Sequence, residues 1–439
     1  MSDRDRVQQL LWRANLGATS AQVDATLALG YAATVEQVLG NAALDVPNAT
    51  APALAPWPPY PVNGTPADKQ AYQNAVNARN SADMALIQPW WCNQLYIRQD
   101  FPLQEHLAFF WHNHFATGND VVQRPPYMLD QNQTFRQKGM GNFLDLFVTL
   151  AKGPAMMVYL DNKDNIKSHP NENFARESME LFSMGIGNYT ETDVREAARA
   201  CTGWTLADNG TVAFDATRFD SGNKTILGQT ANFNLDSFCA LIVGQPATAK
   251  FISKKLFQWF VADDPSDAEL TPMIAAWNAT NGEIRSVLRA MFNSDAFNLP
   301  RVLSNHLKNP VQWLIGILRG LGITTVPDAQ IQSLLVAQGI TFFVPPNVGG
   351  WPTGPAWVSP SNQILRFNQG ATVLGGVTSY SAPATDAWVV SLADALGGLP
   401  IPPDVRARFT GTGSIGANAT NGQRLVAQVI LAGPEYQAS

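Results

Sequence analysis

A mainly α-helical fold is predicted from three features of this chain. Apolar residues recur at helical spacing along most of its length, as in Val7, Leu10 and Leu11, or in Phe251, Ile252, Leu256 and Phe260. Gly and Pro punctuate those stretches at intervals suited to helix ends. One segment, 204–234, breaks the pattern: Thr, Gly, Asp and Asn dominate it, which reads as a small β-hairpin or an ordered loop inserted between helices.

Composition agrees with a large core. Of 439 residues, 46% are apolar and 15% charged, a globular balance with twelve Trp and 22 Phe to fill an interior or line a cleft. The formal net charge of −6 gives no basic footprint, so no nucleic-acid partner is expected. Cys92, Cys201 and Cys239 are odd in number and widely spaced, and read as packed thiols. No apolar run reaches the length of a membrane span, so no membrane partner is expected. The sequence carries no signal peptide as given; the compartment is left open, export following if a leader had been trimmed.

Residues 1–40 read as N-terminal helices, three of them short, with Gly17 and Gly30 as breaks and Thr19 or Ser20 as a cap. Residues 41–66, rich in Ala and Pro, read as an extended connector, and 67–439 as the main helical domain, with 1–40 packed onto it as one unit. Pro102–Phe115 is a strongly apolar helix containing Trp111-His112-Asn113-His114. Two residues on a helix point about 200° apart, so His112 and His114 converge only where the helix ends. The turn Asp161–Asn165 then delivers the chain to its densest group of polar side chains, His169-Pro170-Asn171-Glu172-Asn173-Phe174-Ala175-Arg176-Glu177 with Glu180 beyond. At about 100° per residue, Asn173, Arg176, Glu177 and Glu180 share one arc and Phe174, Ala175 and Met179 the opposite one. A wet outer face with (i, i+4) pairs Arg176/Glu180 and Asn173/Glu177 is the plain reading; a catalytic face is the sharper one.

A short Gly turn leads to a second helix from Thr190, forming a helical hairpin that carries Asp193, Glu196 and Arg199. The following loop holds Trp204, Asp215, Arg218, Asp220 and Lys224. The helix around Phe251–Phe260 reads as amphipathic core material, and His306 and Lys308 as a polar joint. Pro345-Pro346-Asn347-Val348-Gly349-Gly350-Trp351-Pro352 is a rigid loop able to wall a pocket.

These blocks together resemble the DUF1800 family, a domain of unknown function: Trp12-Arg13-Ala14-Asn15-Leu16-Gly17, Trp111–Phe115, His169–Glu177, Gly187–Glu191, Thr202-Gly203-Trp204, Phe214–Arg218, Lys224 and Pro345–Pro352. The resemblance covers nearly the whole chain. It implies a bacterial origin, and export in many members, but no reaction. One departure is Phe219-Asp220, where the family pattern carries His-Asp.

The leading functional expectation is a hydrolase or related group-transfer enzyme, with carbohydrate as one substrate class. Glu177, Glu180, His169, His114 and Asp220 are the candidate catalytic groups, because carboxylates in unequal surroundings divide acid and base roles and His titrates near neutrality. Trp111, His112, Asn113, Asn171, Asn173, Arg176, Tyr189, Trp204, Arg218, Lys224, Asn347 and Trp351 are the candidate binding residues for a small-molecule or glycan substrate, with Arg176 holding one Glu ionised. No cofactor is required by this reading. The alternatives are a divalent-metal enzyme using His112, His114, His169, Glu177 and Glu180, although their spacing matches no metal motif, and a non-catalytic protein with a buried polar network. The oligomeric state is undetermined.

Overall fold

The computed structural model describes residues 2–40, 50–97, 102–299, 305–324, 326–375, 377 and 380–438. Helices build most of it, with two small antiparallel sheets among the described residues. The first three helices, Asp3–Asn15, Ser20–Leu27 and Tyr31–Leu39, begin and end where the sequence signals them. Ser2 with Asp5, and Thr19 with Gln22, form capping boxes that satisfy otherwise unpaired N–H groups. Part of the expected connector, 41–49, lies outside the described residues; 51–61 has no regular structure. The next helix, Pro66–Ile97, starts one residue earlier than expected because Pro suits the first helical position.

The helix Pro102–His114 forms the centre of the molecule. Every residue in it is buried except Pro102 and Asn113, which are half-buried. Its aromatic rings meet Trp91, Phe143, Trp259, Phe342, Phe343 and Trp351, drawn from five distant segments. This one element therefore ties the N-terminal half to the loop near residue 350. Two polar devices fix its register. Glu105 takes a bidentate ion pair from Arg136, 2.7–3.0 Å, with both side chains essentially unexposed. His106 accepts from Trp259 Nε1 at 2.9 Å, which leaves Nδ1–H to donate to the Ala14 carbonyl at 3.2 Å.

The 204–234 segment is two hairpins rather than one. Strand β1 (Trp204–Leu206) pairs with β2 (Val212–Phe214), and β3 (Lys224–Ile226) with β4 (Gln229–Ala231). Lys224 is fully buried and donates to Asn232 Oδ1, the Phe233 carbonyl and the Asp220 carbonyl. Asp193 accepts from the Leu227 N–H at 2.7 Å, tying the second hairpin to the helix Glu191–Ala200. All three cysteines are buried and unbridged, as expected of packed thiols.

Candidate functional site

The polar helix is shorter than its sequence pattern suggests. It spans Asn173–Glu180, and Pro170 lies outside it. Asn165 Oδ1 accepts from the Asn171 N–H at 2.9 Å, and Asn171 Oδ1 accepts from the Asn173 N–H at 2.9 Å, so the helix is capped from Asn171. Residues 166–169 form a tight bridge just before it, which leaves His169 exposed.

Arg176 hydrogen-bonds neither Glu177 nor Glu180, although its charge favours the ionised form of Glu177. Its guanidinium faces back along the helix and across the hairpin, donating to Glu191 at 2.8 Å through each of two nitrogens and to Glu172 at 3.0 Å. A planar fork favours that bidentate partner over a carboxylate four residues ahead. Glu180 instead accepts from Tyr189 Oη at 2.7 Å. Burial, with Glu180 nearby, raises the Glu177 carboxyl above its ordinary pKa.

The loop module forms a separate arrangement. Asp220 pairs with Arg199 at 2.8 Å, which lowers its pKa, and Arg199 also reaches Glu196 at 2.7 Å. Arg218 donates to the Lys163 carbonyl at 3.1 Å. Trp204 packs on Phe214 and beneath the Lys152 ammonium. Phe219 packs against Phe214 and under Lys224. Lys224 is thus a tether of the hairpins, with no surface left for a substrate.

The third region is a cavity of about 630 Å³ at the end of the central helix. It is walled by Asn113 and His114, by Lys255, Gln258 and Trp259 of the helix Pro246–Phe260, by Asp263 and His306, and by the loop Pro346–Pro355 with Asn347 and Trp351. Asn113 Oδ1 accepts from the Trp351 N–H at 2.6 Å. Gly350 has φ +86°, and a Cβ there would stand 2.3 Å from the Asn113 carbonyl oxygen, so only Gly lets the loop approach this closely. Asn347 Oδ1 accepts from the Gly349 N–H at 2.8 Å, closing the turn. Both Asn side chains therefore shape the wall as well as line it.

A family profile described as "Protein of unknown function (DUF1800)" matches residues 9–438. The chain belongs to the DUF1800 family. Searches of curated proteins and of solved structures each gave no match. In this DUF1800 protein the blocks that carry the resemblance are thus split: Trp111–Phe115 and Pro345–Pro352 converge on the cavity, whereas His169–Glu177 does not line it. One contact links them. His114 Nε2 lies 3.0 Å from the carbonyl of Phe182, just beyond the carboxylate helix. That carbonyl requires a proton on Nε2, so Nδ1 carries the lone pair, and it has no hydrogen-bond partner. Burial, with the Lys255 charge close by, holds His114 well below its ordinary pKa.

His112 and Trp111 point elsewhere. Trp111 is wholly buried and donates to the Gly139 carbonyl at 2.9 Å, so its ring does not reach a substrate. His112 is wholly buried among Trp91, Phe135, Phe343 and Trp351 with both ring nitrogens unbonded, and burial pushes it down to about 3. The two His of the H-x-H pair therefore diverge, because the helix stays regular through His114. Among the described residues no group of three or more His, Cys, Asp or Glu is placed to hold a metal ion, and the five candidate ligands fall in three places.

Sequence reasoning missed Lys255, Asp263 and His306 as site residues. Burial lowers Lys255 to about 8 and raises Asp263. His306 Nδ1 stands 3.9 Å from Asp263, while its Nε2 lies 3.3 Å from Gln312 Oε1. Burial holds His306 well below its ordinary pKa, so the Asp263 contact is carboxylate to neutral imidazole. A signal for Lys255 was present: it is four residues from both Phe251 and Trp259, hence on the apolar stripe of its helix, where an ammonium is out of place. No described helix is long and apolar enough to cross a membrane.

Proposed function

We propose that this DUF1800 protein is an enzyme of hydrolytic or related group-transfer chemistry, with a small hydroxylated molecule as substrate in the cavity at the end of the central helix. One observation carries the reading. Four titratable side chains from three segments, His114, Lys255 with Asp263, and His306, line one cavity, and burial displaces each from its ordinary pKa. Lys255 moves down and Asp263 moves up, so each approaches the range where a proton can be given and taken. The volume suits a ligand of metabolite or disaccharide size. Trp259 and Trp351 supply apolar wall, and Asn113, Gln258 and Asn347 supply amides able to meet hydroxyl groups. Glu177 and Glu180, the expected acid and base, do not line this cavity and serve the reading only as an alternative surface site.

The test is a thermal-shift screen of sugars, glycosides and sugar esters, with product analysis by mass spectrometry for each hit. Thr353→Trp, on the exposed rim, should weaken a hit at least tenfold by filling the cavity, while Glu177→Gln binds as the parent does. Loss of the hit in Glu177→Gln and retention in Thr353→Trp would move the site to the carboxylate helix. Binding with no product would leave a binding protein.

A further inference from the structure

Lys255 is half-buried and differs from the two buried lysines, Lys224 and Lys308. Lys224 is bonded to three oxygens and Lys308 donates to the Tyr436 carbonyl at 2.9 Å. On the helix of Lys255 itself, exposed Lys250 pairs with Asp267 at 2.7 Å. Lys255 Nζ has only the Phe251 ring, at 5.1 Å from its centroid, among the described residues. It lines the cavity with no carboxylate or carbonyl spent on it, in the company of His114 and Gln258. A half-buried ammonium turned into a cavity with no counter-ion is costly, and the cheapest relief is loss of its proton. That leaves a neutral amine, the form in which Lys acts as a nucleophile.

Taking the cavity as the functional site, we infer that Lys255 is an amine nucleophile whose ligand carries an aldehyde or ketone, held there as an imine. The open-chain form of a sugar or a hydroxyketone meets both this demand and the hydroxyl-binding wall. The step is balanced without a further reactant. The Nζ lone pair forms a bond to the carbonyl carbon, and the nitrogen loses a proton while the oxygen gains one, giving a carbinolamine. A further proton on that oxygen and loss of the C–O bond release water. Loss of the last N–H proton leaves the neutral imine. Asp263, with its raised pKa, is the cavity group that accepts the proton from nitrogen as a carboxylate and returns one to oxygen as the acid. The depressed pKa of Lys255, about 8, supports the same conclusion. At pH 7 it leaves roughly a tenth of the amine neutral, against well under a thousandth for an ordinary Lys.

The experiment uses the full chain with butanal and sodium cyanoborohydride, which fixes any imine as a butylamine. Peptide mass spectrometry then gives the rate at each lysine from pH 6 to 10. Lys255 should be marked at least tenfold faster than Lys250 and Lys254 at pH 7, with half-maximal rate near pH 8. Thr353→Trp should suppress that mark and leave the other two unchanged. Lys255→Arg should yield no mark at position 255, while the rates at Lys250 and Lys254 stay as in the parent. A Lys255 rate no greater than its helix neighbours overturns the inference, as does a mark that Thr353→Trp leaves intact. The thermal-shift result judges the cavity separately: hits that Thr353→Trp weakens, with an unreactive Lys255, would sink the imine alone.

Discussion

Acid should unfold this protein early, because four of its five histidines are buried. Burial pushes His106 and His112 down to about 3, and His114 and His306 are held well below their ordinary value. Unfolded, each returns to about 6.5. The unfolded chain therefore binds more protons than the native one from about pH 6.5 downward, so stability falls as pH falls. At pH 5.5 each such His removes about 1.3 kcal/mol relative to pH 7, and the four together about 5 kcal/mol. Typical domains have only about 5–15 kcal/mol to lose. His112 isolates the effect, since neither ring nitrogen has a hydrogen bond to forfeit and its neighbours are aromatic. His112→Phe enlarges the ring in a packed aromatic site and should lie within about 3 kcal/mol of the parent at pH 7.5. By pH 5 it should gain about 2 kcal/mol on the parent, having one fewer proton to resist. Urea unfolding followed by Trp fluorescence at half-unit pH steps gives both numbers. A difference between variant and parent that stays flat from pH 7.5 to 5 would refute the reasoning, since it would mean that native His112 accepts its proton.

Two further outcomes follow from the packing. Glu105→Gln strands the Arg136 guanidinium in the core and should cost about 3–5 kcal/mol in the same urea assay, whereas paired replacement by Met at both positions should recover much of it. Gly350→Ala must accommodate φ +86° and displace the Asn113 carbonyl, so it should cost about 1–3 kcal/mol and speed hydrogen exchange at the Trp351 amide.

The sequence was informative wherever the physics is local. Helix class, the caps at Ser2 and Thr19, the break at Gly17 and the change of character at 204 all rest on a few neighbouring residues. The site was only partly legible. Of the residues lining the candidate cavity, Asn113, His114, Asn347 and Trp351 stood out in one dimension because they sit on a rigid Pro/Gly loop and a His-rich helix end. Lys255, Asp263 and His306 were not, since what marks them is desolvation by segments far away in the chain.

The partnering of charges likewise needed three dimensions. From spacing alone Arg176 could face Glu180 or Glu172; the helical hairpin brought Glu191 alongside and decided it. The amino-acid sequence by itself determined that this chain is helical, that it has a large aromatic core and that it belongs with the DUF1800 pattern. Only the tertiary structure decided that Trp111 and His112 are core, that Lys224 is a tether, and that a lysine on an apolar stripe opens onto a cavity. The physical reason is that periodicity states which face of an element is apolar, while the protonation state of a side chain depends on what the rest of the chain places around it.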